Sequence, residues 1–246
     1  MFRDKEIRAT LEAKAMADEL TFRFPIPKAE MDEPLSFEEA ERRLLADLHE
    51  KEAGLENAIF KLVRFYSASG RQDLCFDYAQ RLLSSTDDPE KLALYYLTLG
   101  QLMEQIQDYQ AAIIYYRRAF EMEPATKSVW YLVNNNLGYC LNIGGAYEEA
   151  EPYLRAAIRV DPDRHNAYKN LGISLQGQGD YVGAAQAYFK ATLTNSADSR
   201  ALRLLEVMLR MHPEITECIP DIHKQIAQCW QAVQFAAQLW RKSSAA

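Results

Sequence analysis

Large apolar residues and small ones recur along the middle of this chain at helical spacing. Leu171 and Leu175 stand four residues apart, on one face of a predicted helix. Gly172 sits beside them, where a neighbouring helix can approach closely. Gly179-Asp180 then makes a turn, and Tyr181 opens a second helix as a large packing residue. Ala184, Tyr188 and Ala191 form the small-and-large contact face of that helix. The unit is therefore an antiparallel helix pair. One such pair cannot bury its own apolar stripe, so pairs must stack.

The unit repeats. Tyr131–Arg164 and His165–Asp198, at an offset of 34, share eight identities. Asn136, Leu137, Gly138, Leu141, Gly145, Tyr147, Ala150 and Ala157 meet Asn170, Leu171, Gly172, Leu175, Gly179, Tyr181, Ala184 and Ala191. Ala93–Thr126 is a third copy, with Leu99-Gly100, Asp108-Tyr109, Ala112, Tyr116, Ala119 and Pro124 in the same places. Its offset to the next copy is 38, and the four extra residues, Lys127 to Trp130, amount to about one helical turn. They predict a lengthened first helix at that junction. Glu56–Pro89 is a weaker copy, carried by Leu62, Tyr66, Gly70, Cys75 and Leu82.

This pattern is similar to the tetratricopeptide repeat (TPR), a 34-residue helix–turn–helix unit. The resemblance rests on the Leu-Gly pairs, the Gly-x-Tyr or Asp-Tyr turns, the spaced alanines and the unit-closing Pro124 and Pro162. It implies an all-α fold, a right-handed superhelical solenoid with helical N- and C-terminal caps. The expected organisation is an N-terminal cap over residues 1–55, repeats over 56–198 (56–89, 93–126, 131–164 and 165–198), and a degenerate repeat with a capping helix over 199–246. In the N-terminal cap a helix at 3–20 precedes an irregular segment with Pro25, Pro27 and Pro34. Ser36-Phe37-Glu38-Glu39 then reads as a capping box opening a helix to about Lys51. At the other end, His212-Pro213 interrupts the pattern. Asp221 opens a last helix to about Trp240, apolar through Ile222, Ile226, Trp230, Val233 and Ala237 and expected to cover the final repeat.

In such an array the first helix of each pair lines the concave side. The family frame places Thr98, Gln101 and Gln105 there from one unit, and Asn135, Asn136, Tyr139 and Asn142 from the next. Asn166, Lys169, Asn170, Ile173 and Gln176 follow from the third. No charged residue occurs between Val129 and Ile143, yet four asparagines cluster there, although asparagine is a mediocre helix former. An amide carries both donors and an acceptor, so it can satisfy a bound peptide's backbone. Asn136 and Asn170 occupy the same slot one unit apart, a two-rung ladder; family members that bind extended peptides use such an asparagine, so the resemblance implies the same here. The alternative is that the amides bond between helices or to water; Asn134, whose slot faces the helix pair, is expected to make a structural bond. The family's carboxylate clamp would fall on Leu97, Gln101, Asn136, Asn166 and Asn170; only Asn136 matches, so that clamp is rejected.

Composition narrows the function. A net charge of −7 argues against broad nucleic-acid binding. Basic residues still stand towards both ends of the expected groove, Lys61 and Arg64 at one and Arg200, Arg203 and Arg210 at the other, where they could steer an acidic segment. Cys75, Cys140, Cys218 and Cys229 form no disulfide framework; the first two occupy slots for small core residues. No run is apolar enough to span a bilayer, and a cytoplasmic location is expected. His212, Cys218, His223 and Cys229 match no zinc spacing, and no phosphate loop or nucleophile motif occurs. The expectation is a non-enzymatic scaffold or adaptor, without cofactor or metal, holding an extended segment of a protein partner. The alternative is an assembly component or secretion-type chaperone, self-associating as a homodimer through the C-terminal helix.

Overall fold

The computed structural model describes residues 37–50 and 55–243. The helix expected at 3–20 and the proline-containing segment after it lie outside these residues. Among the described residues every regular element is a helix. The chain divides into two compact units, Met1–Cys75 and Phe76–Ala246, so the division falls inside a helix of the weak first repeat.

The first unit contains α1 (Phe37–Glu50), α2 (Leu55–Ala68) and the start of α3 (Gln72–Leu83). Glu39 in the first turn of α1 takes Arg42 and Arg43 as ion-pair partners one turn on. Tyr66 of α2 is buried and donates its hydroxyl to Glu41 Oε1 at 2.8 Å, joining α2 to α1. Gly70, at φ 74°, turns the chain into α3, where the buried Cys75 thiol reaches the Val63 carbonyl at 3.3 Å.

The second unit is built from helix pairs. They are α4 (Pro89–Gln105) with α5 (Tyr109–Glu121), α6 (Lys127–Ile143) with α7 (Tyr147–Val160), and α8 (His165–Gln178) with α9 (Tyr181–Thr194). Then come α10 (Arg200–Met211), the single turn α11 (Ile215–Cys218) and α12 (Ile222–Ser243). The extra turn at Lys127–Trp130 appears at the start of α6, which runs 17 residues against 14 for α8. Asp88, Asp108 and Asp180 cap α4, α5 and α9 by accepting main-chain N–H groups.

Each pair closes through a missing Cβ. A Cβ on Gly100 would lie 2.4 Å from the Tyr116 ring, and one on Gly172 would lie 2.4 Å from the Tyr188 ring. Gly138 faces Leu154 in the same manner. The tyrosines opening the second helices bind pair to pair. Tyr109 meets Tyr139 edge-on at 6.4 Å, the Tyr147 ring lies where a Cβ on Gly177 would fall, and Tyr181 stacks on His212 at 4.1 Å. Helix α12 packs on α9 and α10 through buried Ile222 and Cys229, and Trp230 donates to Glu206 at 2.7 Å.

The turn between the helices of a pair demands a left-handed residue. Gly145 and Gly179 supply it at φ 77° and 85°, but the equivalent slot of the first pair holds Gln107 at φ 62°. Two opposite substitutions follow. Gly172→Ala loses about 1–3 kcal/mol, because a packed ring must move. Gln107→Gly gains roughly 0.5 kcal/mol or more, because the left-handed strain outweighs the glycine's unfolded-state entropy. Urea titration of both variants against the wild type measures the two signs.

Candidate functional site: the amide layer of the first helices

Helices α4, α6 and α8 neighbour one another, and equivalent slots bring related side chains into rows. One row is Thr98, Asn136 and Asn170; another is Glu104, Asn142 and Gln176. Of the residues expected to face a ligand, Asn135 (8% exposed), Tyr139 (9%), Asn142, Lys169 and Asn170 (each 3%) lie buried beneath the surface. Thr98, Gln101, Asn136, Asn166, Ile173 and Gln176 are half-buried, and Gln105 is exposed.

The buried amides bond across helices. Asn170 Nδ2 donates to Asn135 Oδ1 at 3.1 Å, and Asn135 Nδ2 donates to Asn136 Oδ1 at 3.0 Å. Asn136 Nδ2 reaches the Tyr116 hydroxyl at 3.3 Å, and Asn142 Nδ2 donates to the Asn170 carbonyl at 2.8 Å. The expected ladder between Asn136 and Asn170 is thus bridged by Asn135, one residue away on α6. Asn134 is wholly buried and makes a structural bond within its own helix, to Trp130 O at 2.8 Å. Its side chain is short enough to bond back one turn.

Three partners of this layer were not singled out from the sequence: Glu104, Tyr116 and the thiol of Cys140 as a donor. Tyr116 donates to Glu104 Oε1 at 2.7 Å, and Cys140 Sγ lies 3.3 Å from the same oxygen. Burial raises the Glu104 carboxyl to about 7, only partly opposed by these two donors. The next tyrosine contact has the same geometry without the charge, since Tyr188 donates to Gln176 Oε1 at 2.8 Å. The available signal was a carboxylate in a slot that the neighbouring units fill with amides.

A second cluster surrounds Lys169. Burial, then the charge of Arg200, lowers its ammonium to about 7, with Asp198 acting in the other direction. Asp198 is itself desolvated, but bonds from His165 Nε2 at 2.9 Å and from Arg200 hold its carboxyl well below the usual carboxylate range. Arg200 is therefore engaged with Asp198, while Arg203 donates to Ser199 at 2.8 Å and Arg210 is exposed. Lys61 and Arg64 belong to α2, in the other compact unit. Among the described residues no group of three or more His, Cys, Asp or Glu could hold a metal, and no helix is long and apolar enough to cross a membrane.

The two shifted groups give stability a minimum near neutrality. The contribution of Glu104 is fully present below its unfolded value near 4.5 and is lost as pH rises through about 7. Lys169 imposes its full penalty below about 7, and that penalty is relieved as pH rises towards 10.5. Denaturant midpoints measured across this range should flatten on the acid limb in Glu104→Gln and on the alkaline limb in Lys169→Met.

Comparison with known proteins matches this architecture. Two tetratricopeptide-repeat family models match residues 93–126 and 141–200. Two uncharacterized TPR repeat-containing proteins of Arabidopsis thaliana are 27% and 25% identical over 118 residues, covering 45% of this chain. That stretch is only 14% of each relative's length. Among solved structures, a MamA RS-1 ArsTM double mutant superposes with a TM-score of 0.58 at 19% identity, covering 78% of this chain and 97% of that one. MamA 41-end from Desulfovibrio magneticus RS-1 gives 0.58 and 19%, covering 74% and 95%. The structural likenesses show the fold, and the family-model matches show that residues 93–126 and 141–200 are tetratricopeptide repeats.

Proposed function

We propose that this protein is an interaction scaffold that holds an extended segment of a partner protein along the first helices of its repeats. The observation that carries the reading is that Thr98, Gln101, Asn136, Asn166, Ile173 and Gln176 stay half-buried on the first helices, while Asn135, Asn142 and Asn170 of the same helices are buried and bonded across helices. The layer fixes three first helices side by side, so the half-buried positions are preorganised, which lowers the ordering cost of binding. Between Val129 and Ile143 there is no charged side chain to repel a main chain. Ile173 supplies an apolar anchor, and Gln101 and Asn136 supply amides for a backbone. In this reading Asn170 and Asn142 support the surface from below rather than touch the partner.

A second reading is assembly through the C-terminal helix. Ile222 and Cys229 of α12 are buried where it packs on α9 and α10, but Phe235 remains 62% exposed. Light scattering after size exclusion separates the cases. A dimer mass that Phe235→Lys returns to a monomer supports self-association, whereas a wild-type monomer at micromolar concentration removes it.

The groove is tested with a displayed library of unstructured peptides selected on the full chain. Affinity of the selected peptides is then measured on Gln101→Glu/Ile173→Glu, with circular dichroism confirming the fold. A loss of about tenfold or more is expected. Unchanged affinity would place the binding surface elsewhere.

A further inference from the structure

The bonds from α8 to α4 form one continuous chain with a direction. Asn170 donates to Asn135, Asn135 to Asn136, Asn136 to Tyr116, and Tyr116 to Glu104, at 3.1, 3.0, 3.3 and 2.7 Å. Every donor points towards the carboxyl. An ionised carboxylate only accepts, so it forces Tyr116 to donate; the tyrosine oxygen must then accept from Asn136, and each amide beyond is oriented in turn. At the far end the Asn170 Oδ1 is buried and has no hydrogen-bond partner among the described residues, as is also true of Asn142 Oδ1. Such an orphan acceptor is costly. It follows from the direction of the chain: Asn170 must spend its NH2 on Asn135.

We propose that Glu104 is a positioning residue whose protonation reverses this chain, turning the unpartnered amide atom of Asn170 from an acceptor into a donor. A proton taken up from solvent lets the Glu104 carboxyl donate to the Tyr116 oxygen. The tyrosine O–H then points to Asn136, whose amide rotates to present its oxygen. Asn135 and Asn170 rotate in sequence; Asn170 Oδ1 gains the NH2 of Asn135 as a partner, and the Asn170 NH2 takes the place that the oxygen held without one. Only side-chain amides and a hydroxyl turn, so helix packing is unchanged.

The surroundings suit such a switch. The groups facing Glu104 are Tyr116 and Tyr109 from α5, with Tyr139 and Cys140 from α6. Burial raises all four of these, so they stay protonated across the neutral range. No cation bonds to Glu104 among the described residues to hold it ionised. The carboxyl itself titrates at about 7. In the unit two pairs on, Gln176 accepts from Tyr188 in the same geometry and cannot titrate, so the switch belongs to the Glu104 end alone. Where the groove reading of the preceding section holds, the reversal would exchange the hydrogen-bonding polarity beneath the bound segment.

The test needs no ligand. Side-chain amide NMR of the full chain follows Asn135, Asn136 and Asn170 between about pH 5.5 and 8.5, with the Glu104 carboxyl carbon observed alongside. In the wild type the three amides should shift with one midpoint, that of Glu104. In Glu104→Gln they should stay flat, even though Lys169 beside Asn170 still titrates. In Tyr116→Phe, whose ring still fills the space over Gly100, the carboxyl should titrate while the amides no longer follow. Wild-type amides that remain flat while Glu104 titrates overturn the proposal. So do amides that titrate unchanged in Glu104→Gln, which would assign the effect to Lys169. Because the protein is free throughout, these outcomes are independent of whether a peptide binds the groove.

Discussion

The second compact unit depends on a close approach that only glycine permits. With no Cβ at Gly100 or Gly172, the rings of Tyr116 and Tyr188 lie directly on the backbone of the first helix. That contact sets the distance within each pair, and it also decides where the phenolic oxygens go. Tyr116 can join Glu104 to Asn136 only because its ring rests where a methyl group would otherwise stand. The polar layer is thus a consequence of apolar packing. Leu154, in the equivalent place over Gly138, packs as well but carries no hydroxyl. There Asn142 turns instead to the Asn170 carbonyl of the next first helix.

Much of the architecture was legible in the sequence because the signals were local and repeated. Tyr109, Tyr147 and Tyr181 open the second helices as their spacing predicted, and Gly179 and Gly145 take the left-handed turn. The four-residue insertion before Tyr131 lengthens a helix without rotating its face, since four residues are close to one turn. The candidate site was less legible. Slot assignment put Asn135, Asn142, Lys169 and Asn170 on the first-helix face, but a slot specifies a direction and not a depth. Whether a residue in such a slot is covered depends on how near the next first helix lies, which no single unit encodes. The partner atoms were harder still. Asn135 reaches Asn170 across 35 residues of chain, and Glu104 reaches Cys140 across 36.

The electrostatics follow the same division between local and distant causes. Asp198 and His165 are brought together from the two ends of one repeat, and the depressed carboxyl reflects two donors converging on it. Glu90 makes a comparable link, accepting the main-chain N–H groups of Ala125 and Thr126 ahead of α6. In both places an acidic group holds the start of the following first helix, where unsatisfied N–H groups gather. The net charge of the chain conveys nothing of this, because the acidic residues that matter are matched to particular backbone donors.

The amide layer also bears on how the array comes apart. In a simple repeat protein each unit touches only its neighbours, and its stability is a sum of unit and interface contributions. Here Asn135 lies midway in a run of bonds linking α8, through α6, to a tyrosine of α5 and a glutamate of α4. Opening either end pair takes a hydrogen-bond partner from an amide of α6, and opening the middle pair takes one from both of its neighbours. The three pairs from α4 to α9 are therefore expected to open more cooperatively than apolar stacking alone would make them.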